Sequence, residues 1–145
     1  VLLSGTCVES KVEAAAVNIQ RETLRAYGNV VIVGGNGLRL IRQLAPNFKP
    51  STDITAKAPT GPVIVGTLDG RTVVYDPLQE TNRVVVTYKG PNVLNSAIIF
   101  CPYIPLFTTP TLITADLHVQ KGFMSSAAIH VVNEKMMTYF DITGL

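Results

Sequence analysis

The stretch that most constrains this chain is Val63-Ile64-Val65-Gly66-Thr67-Leu68, then Asp69-Gly70, then Arg71-Thr72-Val73-Val74-Tyr75. Two β-branched runs flank a dipeptide that tolerates positive φ, which is the strongest short-range signal for a hairpin. Other β-prone runs follow it. Arg83 to Tyr88 comes after the Asp76-Pro77 turn, Ala97 to Cys101 is expected to be closed by Pro102 and Pro105, and Leu117 to Val119 and Ala127 to Val132 lie beyond a Thr- and Pro-rich stretch.

The first half has a different period. From Glu9 to Tyr27, Val12, Ala15, Ala16, Ile19, Thr23 and Ala26 recur at three- and four-residue steps, with Lys11, Glu13, Gln20, Arg21 and Arg25 mostly off that stripe. This spacing predicts an amphipathic helix that stops where Gly28 takes the left-handed C′ conformation. Val30 to Val33 follows as a short buried strand. Leu38 to Leu44 reads as a short helix, with Leu38, Ile41 and Leu44 on one side, ended by Pro46 and Pro50. Asn47 to Pro62 shows neither period and reads as a long loop. The fold class expected is α+β, with a β-rich C-terminal half.

At 145 residues and 47% apolar content the chain fits one packed domain. Its formal charge of +2 is scattered and forms no stripe, which disfavours nucleic acid or a membrane surface as the primary ligand. Cys7 and Cys101 lie far apart without metal-ligand spacing, a usage suited to reduced thiols. There is no apolar run of membrane-spanning length and no signal-peptide pattern at Val1, so the expectation is a soluble, intracellular chain. Charged residues make up only 15%, well below the usual quarter. A surface that poor in charge is expected to be unusually apolar or unusually covered.

Candidate chemistry is sparse. Gly34-Gly35-Asn36-Gly37 between a strand and a helix looks like a phosphate-cradling turn, yet counting G-x-G-x-x-G from Gly35 puts Leu40 where the third small residue belongs. Asp53 has the spacing of a ribose ligand but sits in the proline-rich loop. His118 and His130 are the only histidines, and Asp116 is the one near partner for a metal, so both read as structural. Cys101, between Phe100 and Pro102, reads as buried and unactivated. Ser4-Gly5 lacks a nucleophile-elbow context. No catalytic, cofactor-binding or metal residue is assigned.

The most specific stretch is Val84 to Leu106. Tyr88-Lys89-Gly90, followed by Phe100-Cys101-Pro102-Tyr103-Ile104-Pro105-Leu106, resembles the C-terminal region of the major capsid proteins of tailed phages of the T-even and giant-phage type, which have the fold first described for the Hong Kong phage head protein. Three further similarities stand in order. Gly66-Thr67-Leu68-Asp69-Gly70-Arg71 resembles the family's G-T-L-x-G-R/K turn, Asn29 to Val33 its strand-to-helix junction, and Gln120 to Asn133 its closing strand.

By that resemblance, Gly66, Gly70, Tyr88, Lys89, Gly90, Pro102, Tyr103 and Pro105 are structural motif positions, and the chain looks like the C-terminal part of such a protein. The resemblance implies the end of a spine helix over 1–28, an axial domain over 29–82, and a return to a peripheral sheet over 83–145. It also implies an icosahedral shell built from hexamers and pentamers of the chain, enclosing DNA without reading it. Scaffold, portal and decoration proteins would be its other partners, with assembly in the host cytoplasm and no membrane or cofactor. A vertex or minor head protein of the same fold is the near alternative, and a nucleotide-binding α/β enzyme domain the distant one.

Overall fold

The computed structural model describes residues 5–51, 61–113, 116 and 118–142. Ser4, Asp53, Leu117 and most of the proline-rich loop lie outside the described residues. The chain divides into a compact unit, Val1–Ala97 with Asn133–Leu145, and a second unit, Ile98–Val132.

The compact unit is organised by α1 (Gly5–Thr23), β1 (Val30–Val33), α2 (Gly35–Leu44), β2 (Phe48–Pro50), β3 (Val63–Leu68), β4 (Arg71–Tyr75), β5 (Arg83–Thr87) and β10 (Met137–Asp141). The six strands form one mixed sheet in the order β10-β5-β1-β4-β3-β2. Only β1 and β4 run parallel, with Val31 opposite Val73. The expected hairpin is β3–β4. Asp69 (φ 49°) and Gly70 (φ 79°) are both left-handed, so the turn has the positive-φ pair that matches the twist of its strands.

The helical stripe is buried as its spacing requires. Val12, Ala16 and Ile19 of α1 and Ile41 of α2 meet Val31, Val33, Val73, Val84 and Val86 of the sheet, all fully buried. Each such Val or Ile side chain contributes roughly 1.5–3 kcal/mol. Gly28 lies where no side chain fits, since a Cβ there would sit 2.7 Å from Val86 Cγ1 and 3.2 Å from Ala16 Cα. It is a close-packing glycine and not the expected helix cap. The helix ends at Thr23, earlier than Tyr27, because Thr23 Oγ1 donates to the Ile19 carbonyl (2.7 Å) and accepts from the Ala26 N–H (3.0 Å). Leu24 takes the left-handed conformation instead, at φ 61°.

The second helix also differs from expectation. It starts at Gly35 rather than Leu38 and buries Gly37, Leu40 and Ile41, leaving Leu44 exposed. Phe48–Pro50, expected as loop, is an edge strand on β3. Pro50 is tolerated there because an edge strand needs only one ladder of hydrogen bonds.

The second unit is a long two-stranded ribbon of β6 (Ile98–Thr108) and β9 (Phe123–Val131), with a small pair, β7 (Leu112–Ile113) and β8 (Val119–Gln120), near its turn. The ladder runs antiparallel from Ile98 opposite Val131 to Thr108 opposite Phe123. Pro102 and Pro105 do not close β6 as expected. The strand passes through both, and the register shifts between Pro102 and Ile104 and again between Ile104 and Phe107, absorbing the missing N–H groups as irregularities.

Candidate functional site

Two features stand out, one in each unit. The ribbon contains no charged side chain in either strand apart from the titratable His130. Its apolar residues face solvent on both sides: Phe100 is 66% exposed, Tyr103 84%, Leu106 73%, Phe123 74% and Ile129 73%. A two-stranded ribbon alone is at best marginally stable in water, and exposed apolar surface on this scale is unusual for a side left open to water. Cys101, expected to be buried, is exposed for the same reason: among the described residues of its unit no second layer covers β6.

In the compact unit a charged cluster pins α1 to the hairpin. Arg71, first residue of β4, is only 4% exposed. Its Nη2 donates to Glu13 Oε2 and to Tyr27 Oη, and its Nη1 donates to Asp69 Oδ2 at 3.3 Å. The guanidinium also lies 5.0 Å from the Tyr27 ring centroid. Tyr27 Oη in turn donates to Glu13 Oε1 at 2.7 Å. The Tyr27 hydroxyl, assisted by the Arg71 guanidinium against partial burial, holds the Glu13 carboxyl below its usual range, and burial followed by the Glu13 hydrogen bond pushes the Tyr27 phenol up. A recess of about 240 Å³ beside the cluster is lined by Glu9, Ser10, Glu13, Leu68, Asp69 and Arg71. Apart from the buried Arg71 Nε, which has no hydrogen-bond partner, the polar atoms of Glu13, Tyr27 and Arg71 hold one another, so the cluster's chemistry is that of an anchor. Sequence spacing did not reveal it, because Glu13 and Arg71 are 58 residues apart.

The motif positions fall in three places. Gly66 and Gly70 belong to the hairpin, and a Cβ on Gly66 would lie 2.3 Å from the Lys49 carbonyl oxygen. Tyr88, Lys89 and Gly90 leave β5 and are tied down by backbone bonds. The Tyr88 N–H donates to the Met136 carbonyl (3.1 Å), the Lys89 N–H to Asn29 Oδ1 (2.8 Å), and the Gly90 N–H to the Asn95 carbonyl (3.1 Å). Asn29 Nδ2 donates back to the Lys89 carbonyl at 2.9 Å. Pro102, Tyr103 and Pro105 lie on β6 of the ribbon.

The glycine turn that suggested a phosphate site is occupied by protein. The Asn36 and Gly37 N–H groups at the start of α2 both donate to the Thr81 carbonyl, at 3.0 and 3.4 Å, and the Gly34 N–H donates to the Arg83 carbonyl at 3.2 Å. A Cβ on Gly34 would sit 2.2 Å from the Glu80 carbonyl oxygen. Gly34 lets the 80–83 segment lie against the helix start, where a phosphate would otherwise bind. His118 and His130 are both exposed, and no group of three or more metal-ligating side chains occurs among the described residues.

A family profile described as "Major capsid protein Gp23" matches residues 5–141, nearly the whole chain and both of its units. The chain belongs to the Gp23 major capsid protein family. Relatives agree. The major capsid protein of Enterobacteria phage T4 is 32% identical over 108 residues, covering 66% of this chain and 19% of that protein, and that of Salmonella phage ViI is 31% identical over 102 residues, covering 66% and 22%. The match to Serratia phage KSP90 is 30% over 101 residues. The matched region therefore spans about a fifth of the length of these Gp23-type relatives. A virus-like particle from Pyrococcus furiosus is similar in structure, with a TM-score of 0.59 at 10% identity over 95% of this chain and 52% of that one. At that identity the likeness concerns the fold, a mixed α+β arrangement.

Proposed function

We propose that the chain is part of the subunit of an icosahedral phage head, a structural protein that self-assembles into hexamers and pentamers and closes into a shell around DNA. The observation that carries this is the ribbon. A family of capsid proteins has here a uncharged pair of strands with apolar side chains on both faces, which is unfavourable in water and favourable between packed layers. Individually modest interfaces repeated around a closed shell give a strong assembly. The Arg71 anchor and the filled glycine turn support a structural role and not an enzymatic one.

Within the Hong Kong phage-type fold, the compact unit fits the axial domain and the ribbon fits the peripheral sheet. On this reading the division falls at 97/98 and 132/133, which the pairing of β5 with β1 and β10 within the central sheet supports. The motif positions then act as strand ends and turns. Scaffold, portal and decoration proteins are its further partners, assembly takes place in the host cytoplasm, and the virion is its final location. Electron microscopy and mass spectrometry of the protein isolated from its source test this. Abundant closed symmetric shells containing these peptides are the expected result, and a monodisperse small species would overturn it.

A further inference from the structure

Asn36-Gly37 and Asp69-Gly70 are the places in the sequence where an Asn or Asp precedes glycine. A glycine nitrogen carries no neighbouring side chain to shield it, so both dipeptides are prone to close a five-membered succinimide ring. The fold treats them oppositely. Asn36 stands in the first turn of α2, where its Nδ2 donates to Asn82 Oδ1 at 2.7 Å and its N–H and that of Gly37 both donate to the Thr81 carbonyl. Gly37 is buried, and a Cβ there would lie 3.2 Å from Val84 Cγ2. The Asp69 side chain is 62% exposed and accepts from Arg71 Nη1 at 3.3 Å. Gly70 lies at the hairpin tip, beyond the last ladder pair of Leu68 with Arg71, in open space. Ring closure requires the residue to leave its folded conformation in both places, since neither a helical nor a left-handed residue sets its side-chain carbon against the next nitrogen. The cost of local opening therefore decides: it is small at an exposed turn and large at a helix start bonded and packed against the core.

We propose that Asp69 is a site of spontaneous isoaspartate formation in this protein and that Asn36 is protected from the equivalent reaction. The Gly70 nitrogen attacks Cγ of the protonated Asp69 carboxyl, the N–Cγ bond forms, and the carboxyl hydroxyl leaves with the amide proton as water. Water then opens the ring. Breaking the Cγ–N bond restores Asp69, whereas breaking the bond from the Asp69 main-chain carbonyl carbon to that nitrogen leaves the chain running through Cβ and Cγ, with the former main-chain carbonyl as the free carboxylate. The mass is unchanged and no other reactant is needed. The added backbone atom lengthens a two-residue turn whose length fixes strand register, and it displaces the carboxylate that faces Arg71, so the lesion falls on the anchor. None of this depends on the shell-subunit reading.

Asp69→Asn tests the proposal, because it sets the same dipeptide at both positions and keeps a favoured hairpin turn, so that sequence chemistry cancels. In the folded chain, deamidation at position 69 is expected to run at least about tenfold faster than at Asn36, and in urea the two rates are expected to come within about threefold, both read by peptide mass spectrometry. Equal rates in the folded chain, a faster reaction at Asn36, or the same tenfold ratio persisting in urea overturn the proposal. The wild-type chain provides a second measurement. Incubated in neutral buffer, it is expected to accumulate isoaspartate at position 69, resolved by chromatography of the two peptide isomers. Its absence by the time a synthetic peptide of residues 66–73 has converted also overturns the proposal.

Discussion

Arg71 and Glu13 are joined across the junction of β4 and α1, with Arg71 almost fully buried and Glu13 about half exposed. The pair is shared with Tyr27, which bonds to both. Removing the carboxylate leaves a buried guanidinium held only by Asp69 and a phenol. Breaking a buried pair of this kind costs about 3–5 kcal/mol, and the exposure of Glu13 puts the expected loss for Glu13→Ala near the lower end or below, about 2–3 kcal/mol. Arg71→Lys is expected to destabilise too, since an ammonium does not reproduce the planar fork that reaches Glu13, Tyr27 and Asp69 together. Thermal or urea melts of the 145-residue chain measure both.

The same cluster sets an acid dependence. The folded-state pKa of Glu13 lies below its usual 4.5, so its contribution is complete above about pH 4.5 and is lost as pH falls through the depressed folded value. The stability difference between the wild-type chain and Glu13→Gln is therefore expected to be constant near neutrality and to shrink in the acid range. A difference that grows as the pH falls would contradict this assignment. Melting temperatures of the two chains across a pH series provide the comparison.

Gly34 and Gly35 are neighbours with opposite expected responses. Gly34 is extended at φ −78°, so its backbone suits any residue, but an added Cβ would collide with the Glu80 and Thr81 carbonyls at 2.2 and 2.8 Å. Gly35 opens the helix, and its Cβ would meet only the Thr81 methyl at 3.5 Å. Gly34→Ala is expected to cost about 1–3 kcal/mol, whereas Gly35→Ala is expected to be neutral or stabilising by up to about 1 kcal/mol. Because Thr81 already occupies the helix start, neither the parent chain nor Gly35→Ala is expected to gain thermal stability from nucleotides. A ligand-dependent melting shift would revive the nucleotide-binding alternative.

What was legible in the sequence is what local chemistry decides. Asp69-Gly70 dictates its turn without help from elsewhere, and the three- and four-residue stripe from Val12 to Ala26 marks the buried face of α1 up to Ile19. What escaped depends on distant partners. Arg71 reads as an ordinary strand-start arginine until Glu13 and Tyr27 are folded against it. Met137–Asp141 carries a local strand signal in Thr138, Tyr139 and Phe140, but its place as β10 against β5, about 50 residues earlier, is not written in any local spacing. Phe48–Pro50 is a strand only through β3. The prolines of β6 misled for the complementary reason. Proline ends a strand in a sheet interior, but in a ribbon each strand keeps one free side where a missing N–H costs little.

The ribbon and the compact unit are expected to respond separately to substitution. Phe100 and Tyr103 lie on exposed β6 and contribute nothing to the buried core, which is drawn from α1, α2 and the central sheet. Phe100→Asp and Tyr103→Asp should leave the melting of the compact unit within about 0.5 kcal/mol of the parent, as expected for exposed sites. On the proposed shell reading the same changes would bury a carboxylate against an apolar layer, so shell yield is expected to fall steeply, since each unpaired charge costs several kcal/mol at an interface. Ile19→Ala should do the opposite, costing about 2–5 kcal/mol of folding stability through the cavity it opens while leaving the assembly surface intact in whatever chain remains folded. Melting curves of the isolated chain, set beside particle yields by sedimentation, separate the two behaviours; a loss of folding stability in the β6 variants equal to that of Ile19→Ala would place the ribbon residues in the core and remove them from the interface.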